Sequence, residues 1–230
     1  MTWHASTSQW YTPNSQEAID NATEAAAILI TEYGWTQAAC AGMFGSIDYE
    51  GMWNPWSWQG SGSPEHGALT RAQAMAEHGT SHGYGLIGWT PSGKYQFNDF
   101  TFTYQGQTYK YFPGYDQESY PGYGPYFKNE EASALASDGA AQIRLIAEAM
   151  ANNNNNIWVR RKNCTQSEYI ALTDPKKAAY YWTWNAEYPA GLPDSAKTRQ
   201  AAAVAWMERL DWDFQSKPPI WLISKRIWRL

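Results

Sequence analysis

Glu50 is the residue whose type and setting could do chemistry. It ends the small-residue run TQAACAGMFGSIDYE and directly precedes the aromatic, Asn-Pro-containing loop GMWNPWSW. A carboxylic acid that keeps its proton near neutral pH can protonate the leaving oxygen of a glycosidic bond. Burial against indole rings is one way to hold that proton. Tyr49, Met52, Trp53, Trp56 and Trp58 lie within reach in sequence to form such a wall. By itself, a Glu beside a Gly marks no more than a solvated helix end. A two-carboxylate hydrolase also needs a partner about 5–10 Å away across the scissile bond. Asp48, two residues back, is expected on a different helix face. Glu65, Glu77, Asp99 and Asp116 lie on segments that could fold over a cleft. A single-Glu mechanism, in which the sugar's own hydroxyl attacks, remains open.

Two other chemistries are weaker. Glu65-His66, Glu77-His78 and His82 crowd into one stretch, and His78 and His82 have the i, i+4 spacing of a helical zinc pair. Gly79 and Gly83 break that helix and no HExxH occurs, so solvated loop histidines are expected, with no metal and no cofactor. Cys40 lies among alanines with no histidine nearby in sequence, and reads as a buried thiol, not a nucleophile. A disulfide to Cys164 is the alternative, and two cysteines offer no zinc spacing.

The elements that must position Glu50 follow from periodicity and caps. Ser15–Tyr33 is alanine-rich with apolar residues at three-and-four spacing, and Gly34 stops it. Thr36 caps a second helix whose Ala38, Ala39, Ala41, Gly42 and Gly45 leave one flank almost bare. Interior glycines cost about 1 kcal/mol each relative to alanine. They are tolerable where another backbone packs close, so this helix is expected at the centre. A short helix is expected at Leu69–Glu77 and a strand at Gly83–Thr90. FTFTYQGQTYKYF (Phe100–Phe112) alternates rings and threonines around Gln105-Gly106-Gln107, the pattern of a hairpin. Helix resumes at Ser137–Ala151. Thr165 and Glu168 form a capping box, Pro175 opens a helix that ends before Pro189, and Asp194 is expected to cap the last one. The fold class predicted is α+β, mostly helical with a small antiparallel β region and an aromatic hairpin insertion.

Composition bounds the partners. A chain of 230 residues with 43% hydrophobic and 17% charged residues can build one substantial core. Some of the 14 Trp and 16 Tyr must fill the core, and that many Trp also suggest surfaces that stack on sugar rings or bases. The net charge of -5 argues against nucleic acid and against strong steering toward an anionic wall. The longest apolar run, Ala25–Ile30, is far short of a membrane span, and the N-terminal residues show no secretory signal. The basic, apolar tail Lys217–Leu230 is expected to dock on a neighbouring domain, with contact to a membrane surface as the alternative.

Two linked blocks then supply a resemblance. GMFGSIDYEGMWNP, with Gly45, Ser46, Glu50 and Asn54-Pro55, and GYGLIGWTP, from Gly83 to Pro91, are similar to the phage tail lysozyme domain. In that family a helix ends G-N-x-x-x-E-S-x-x-N-P, and G-Y-G-L-x-Q-W-T-P follows. The helix near 140–150 and the block Asn185–Pro189 are also similar, so the likeness spans roughly residues 18–210. Gly51 departs from the family's Ser, and Gly88 from its Gln.

The resemblance implies a lysozyme-like fold and cleavage of the β-1,4 MurNAc-GlcNAc bonds of bacterial peptidoglycan. It makes Glu50 the catalytic acid and Asn54, Trp58, Tyr84, Gly85, Trp89 and Thr90 its substrate contacts. It further implies a place in the virion, in the phage tail among other tail proteins, acting on the host cell wall during entry. The organisation expected is an arm at 1–14, a catalytic domain at 15–212 with an aromatic insertion at 95–130, and a tail at 213–230. A lytic transglycosylase using Glu50 alone, or a non-catalytic glycan-binding tail module, are the alternatives.

Overall fold

The computed structural model describes residues 3–60, 67–69, 73, 83–88, 100–104, 107–111, 139–153, 157–189 and 191–214, the segments 100–104 and 107–111 as backbone alone. Helix α1 (Gln16–Tyr33) begins where the Ser15 hydroxyl accepts the Ala18 N–H and ends at Gly34, whose left-handed conformation closes the last turn on Ile30 and Leu29. Thr36 caps helix α2 (Gln37–Ile47) in the same way through Ala39, and every residue from Ala38 to Ile47 is buried.

The bare flank of α2 is where two later helices pack. A Cβ added to Gly42 would lie 2.5 Å from Ala178 Cβ on helix α5 (Pro175–Trp182). One added to Gly45 would lie 2.4 Å from the Arg199 carbonyl on helix α6 (Leu192–Arg209). The central helix predicted from its small residues is central because three backbones meet there. Helix α3 (Gly139–Ala151) packs on α1, with Arg144 gripping both carboxylate oxygens of Glu32 at 3.0 and 2.6 Å. The short helix α4 (Gln166–Ile170) carries the capping box between Thr165 and Glu168. Helix α5 runs into a π-helical turn, Thr183–Glu187, which ends on Tyr188 in the left-handed region.

Two groups of rings fill the interior around α2. Phe44, Trp53 and Trp206 meet with centroids 5.0–6.0 Å apart. Trp35, Trp158, Tyr169 and Trp182 form the second group. Three of their polar ends are engaged: Trp158 Nε1 donates to the Cys164 carbonyl, the Tyr169 hydroxyl to the Ala39 carbonyl and Trp182 Nε1 to Glu187. Both cysteines are buried and free. No helix among the described residues is long and apolar enough to cross a membrane.

Three expectations are corrected. The α+β class gives way to a helical fold, because the described residues are mostly helix and hold no sheet beyond one pair of short strands. The expected strand at 83–90 is a turn over Gly83–Gly88, joined to the rest by one isolated bridge between Tyr84 and Trp58. Its glycines are the cause, since Gly85 and Gly88 take φ of 83° and 56° and turn the chain out of the extended region. The short strands β1 (Phe100–Tyr104) and β2 (Gln107–Tyr111) pair only with each other. Asp194 is not the cap of the last helix; α6 starts at Leu192, with Pro193 in the first turn and Gly191 before it. The helix expected at Leu69–Glu77 and the histidines at 66, 78 and 82 lie outside the described residues.

Candidate active site

Glu50 sits three residues beyond the end of α2, in a turn that keeps the helical direction because its N–H donates to the Ser46 carbonyl at 3.1 Å. The backbone then reverses sharply. Met52 and Trp53 both take positive φ, 48° and 60°, a conformation non-glycine residues rarely hold without surrounding support. That support is local: Met52 N–H bonds Ile47, and Trp53 is buried in the core. The reversal places Glu50 on the floor of a cavity of about 460 Å³, with Trp58, Gly85 and Gly88 among its walls.

The wall predicted around Glu50 is differently composed. Trp53 turns into the core and donates its indole N–H to Asp48 at 2.7 Å. Tyr49 and Met52 line the cavity but are largely exposed. What holds Glu50 is Arg199 of α6, whose guanidinium donates to Oε1 in an ion pair. The Arg199 side chain is 6% exposed and that of Glu50 26%, so the cation is sealed and the carboxylate opens to the cleft. The sequence reading missed Arg199, although a signal was present. Leu192, Ala196, Arg199, Ala203 and Trp206 are the buried positions of α6, spaced four and three apart. An arginine on such a stripe must find a carboxylate inside the fold.

Asp48 is buried and points away from the cavity, as expected from its position. Its carboxylate accepts from Trp53 Nε1 and from Trp206 Nε1, the latter at 3.0 and 2.9 Å to its two oxygens. Burial raises its pKa to about 6, against the lowering pull of the two indole N–H groups and of Arg209.

The glycines at 51 and 88 both stand close to the site. Gly51 N–H donates to the Leu86 carbonyl at 3.0 Å. A Cβ at position 51 would meet that same oxygen at 2.4 Å, so no serine fits. A Cβ at Gly88 would lie 3.3 Å from Glu50 Oε2, so the missing side chain opens the space beside the carboxylate. Gln142 of α3 ties the two loops together: its amide donates to the Pro55 carbonyl and its oxygen accepts the Leu86 N–H, both at 2.9 Å.

Of the other residues predicted to touch substrate, Trp58 and Gly85 line the cavity. Tyr84 is buried with its hydroxyl on the Leu69 carbonyl. Asn54 is fully buried, its amide donating to the Ser6 and Gln9 carbonyls and its oxygen accepting from Ser6 and Trp56. It fastens the N-terminal segment to the loop. Trp89 and Thr90 lie outside the described residues. Glu187, at the end of the π-helical turn, also lines the cavity and was not singled out by sequence. Among the described residues, no group of three or more His, Cys, Asp or Glu could hold a metal ion.

The described residues thus form a helical domain whose central helix leads into a turn that delivers one ion-paired carboxylate to a cleft. A family profile described as phage tail lysozyme matches residues 20–210, and the chain belongs to that family. Membership gives it a lysozyme-like, wall-degrading activity in the setting of a phage tail.

Proposed function

We propose that the chain is a glycoside hydrolase of the muramidase type, cleaving the β-1,4 bonds between MurNAc and GlcNAc in peptidoglycan, with Glu50 as general acid. The observation that carries this reading is the Glu50 carboxylate itself. It lines the cavity, positioned at Oε1 by Arg199, and its Oε2, the oxygen that would carry the donated proton, lies beside the open space at Gly88. Trp58, buried with its indole N–H on the Gly67 carbonyl, fixes one wall of that cavity. The tail setting suggests that the enzyme opens the host wall locally at entry.

Wild type and Glu50→Gln, compared on purified cell wall by zymography and by mass spectrometry of released fragments, test the reading. Clearing by wild type with reducing-end products, lost in Glu50→Gln, is expected. Clearing that survives the substitution removes Glu50 from the acid role. No clearing by wild type points to a glycan-binding tail module, and anhydro sugars point to a transglycosylase.

A further inference from the structure

We infer that Glu187 is the second catalytic carboxylate, acting as general base on the hydrolytic water; the inference rests on the muramidase reading above. Glu187 and Glu50 reach one cavity from elements far apart in sequence, the turn after α2 and the turn after α5. Glu187 is 7% exposed, and its Oε1 accepts the Trp182 indole N–H at 2.9 Å, so the carboxylate is a rigid acceptor.

The backbone around it carries the same marks as that around Glu50. Glu187 ends a π-helical turn, and the next residue, Tyr188, takes φ of 53° with its N–H on the Thr183 carbonyl at 2.7 Å. Single π turns and left-handed non-glycine residues concentrate at functional sites, because the irregularity re-aims a side chain at some cost in stability. Here both irregular turns bring a glutamate to the wall of one cleft.

Among the described residues the rival is Asp48, which is not among the residues that line the cavity. Its two carboxylate oxygens both accept indole N–H groups, of Trp53 and Trp206, whereas the Trp182 indole occupies Oε1 of Glu187. Glu65, Glu77, Asp99 and Asp116 lie outside the described residues.

The step balances with water as co-reactant. The water oxygen bonds to C1 of the muramyl sugar while Glu187 takes a proton from that water. The bond from C1 to the bridging oxygen breaks, and Glu50 gives its proton to the departing O4 of GlcNAc. Solvent then returns the two carboxyls to their starting states.

The test is Glu187→Gln on soluble peptidoglycan fragments, beside wild type and Glu50→Gln. The amide oxygen can still accept from Trp182, so the fold is retained. Removal of a general base predicts a fall in kcat of roughly 10²-fold or more. KM and the melting temperature should stay close to wild type, and the acidic limb of the pH–rate profile should disappear. Azide added to Glu187→Ala should restore turnover and leave a glycosyl azide, which a merely structural role for Glu187 would not produce.

Wild-type kcat in Glu187→Gln, or a loss matched by the unfolded fraction in circular dichroism with no azide product, overturns the inference while Glu50 keeps its role. Anhydro sugars from wild type overturn it too, since no water is then activated. A wild type that cleaves nothing removes the muramidase reading and this inference together.

Discussion

The pairing of Glu50 with Arg199 makes the candidate acid a structural residue as well. Arg199 is buried, and among the described residues its Nε has no hydrogen-bond partner, so the Glu50 carboxylate is its counter-charge. Replacing that carboxylate leaves a guanidinium in the interior with a neutral neighbour, at a cost of roughly 1–3 kcal/mol. Glu50→Gln is therefore expected to melt below wild type, although removal of an unpaired catalytic charge would commonly stabilise a fold. An unchanged or raised melting temperature would show that the pair contributes little. Asp48 gives a prediction of opposite sign. Its pKa rises from 3.8 to about 6 on folding, so the native state binds the extra proton between those values. Stability at this group accordingly grows as pH falls through that window, and the penalty of the ionised form is complete above it. Asp48 also stands at the carboxyl end of α2, where negative charge opposes the helix dipole. Asp48→Asn retains an acceptor for the indoles and loses the charge. It should be more stable than wild type at pH 8, by at most about 3 kcal/mol, with the difference closing toward pH 4. Melting temperatures of both proteins across that range check it; a difference independent of pH would mean that Asp48 does not titrate as described.

At the scale of elements, α2 is the part on which the site depends, and Gly45 is its tightest point. The added methyl of Gly45→Ala would strike the Arg199 carbonyl, a backbone atom with no easy retreat. Helix propensity gains about 1 kcal/mol, but overpacking costs typically 1–3 kcal/mol and sometimes more. A net loss in urea denaturation is expected. Because α6 must shift to admit the methyl, Arg199 moves and activity falls with stability. A variant as stable and as active as wild type would mean that α6 is not held where Gly45 places it. Local signals made much of this element pattern legible. Ser15, Thr36 and the Thr165/Glu168 box announce helix starts through their own side chains, and Gly34 announces a stop through its conformation. The small flank of α2 told of a close neighbour without telling which one. Partnerships across long stretches of chain were not legible: Glu50 with Arg199, 149 positions apart, or Glu187 beside the same cleft. The run at Gly83–Gly88 misled because a short apolar stretch among glycines suits a strand with close backbone approaches, while Gly85 and Gly88 at positive φ make it a turn.

Across the whole molecule, the N-terminal segment is bound into the same scaffold as the cleft. His4 exchanges hydrogen bonds with the buried Asn21 of α1, and Asn21 also donates to the Trp53 carbonyl. Asn54 holds the Ser6 and Gln9 carbonyls, each at 2.6 Å, and Tyr11 N–H reaches the Met52 carbonyl at 3.0 Å. Between those last two anchors lies Trp10, a wall of the cavity. The segment thus lends a side chain to the site, and Asn54 is the clasp that holds it there. Asn54→Ala removes four hydrogen bonds from a fully buried group and leaves the Ser6 and Gln9 carbonyls without it, a loss of roughly 2–3 kcal/mol. The expected outcome is faster amide exchange over residues 6–11 and a KM raised several-fold as Trp10 loses its place. The kcat should change little, because Glu50 and Arg199 are anchored elsewhere. If Asn54 instead contacted the glycan directly, KM would rise with exchange over residues 6–11 unaltered. Hydrogen exchange measured beside steady-state kinetics on the same variant therefore separates a clasp from a ligand contact.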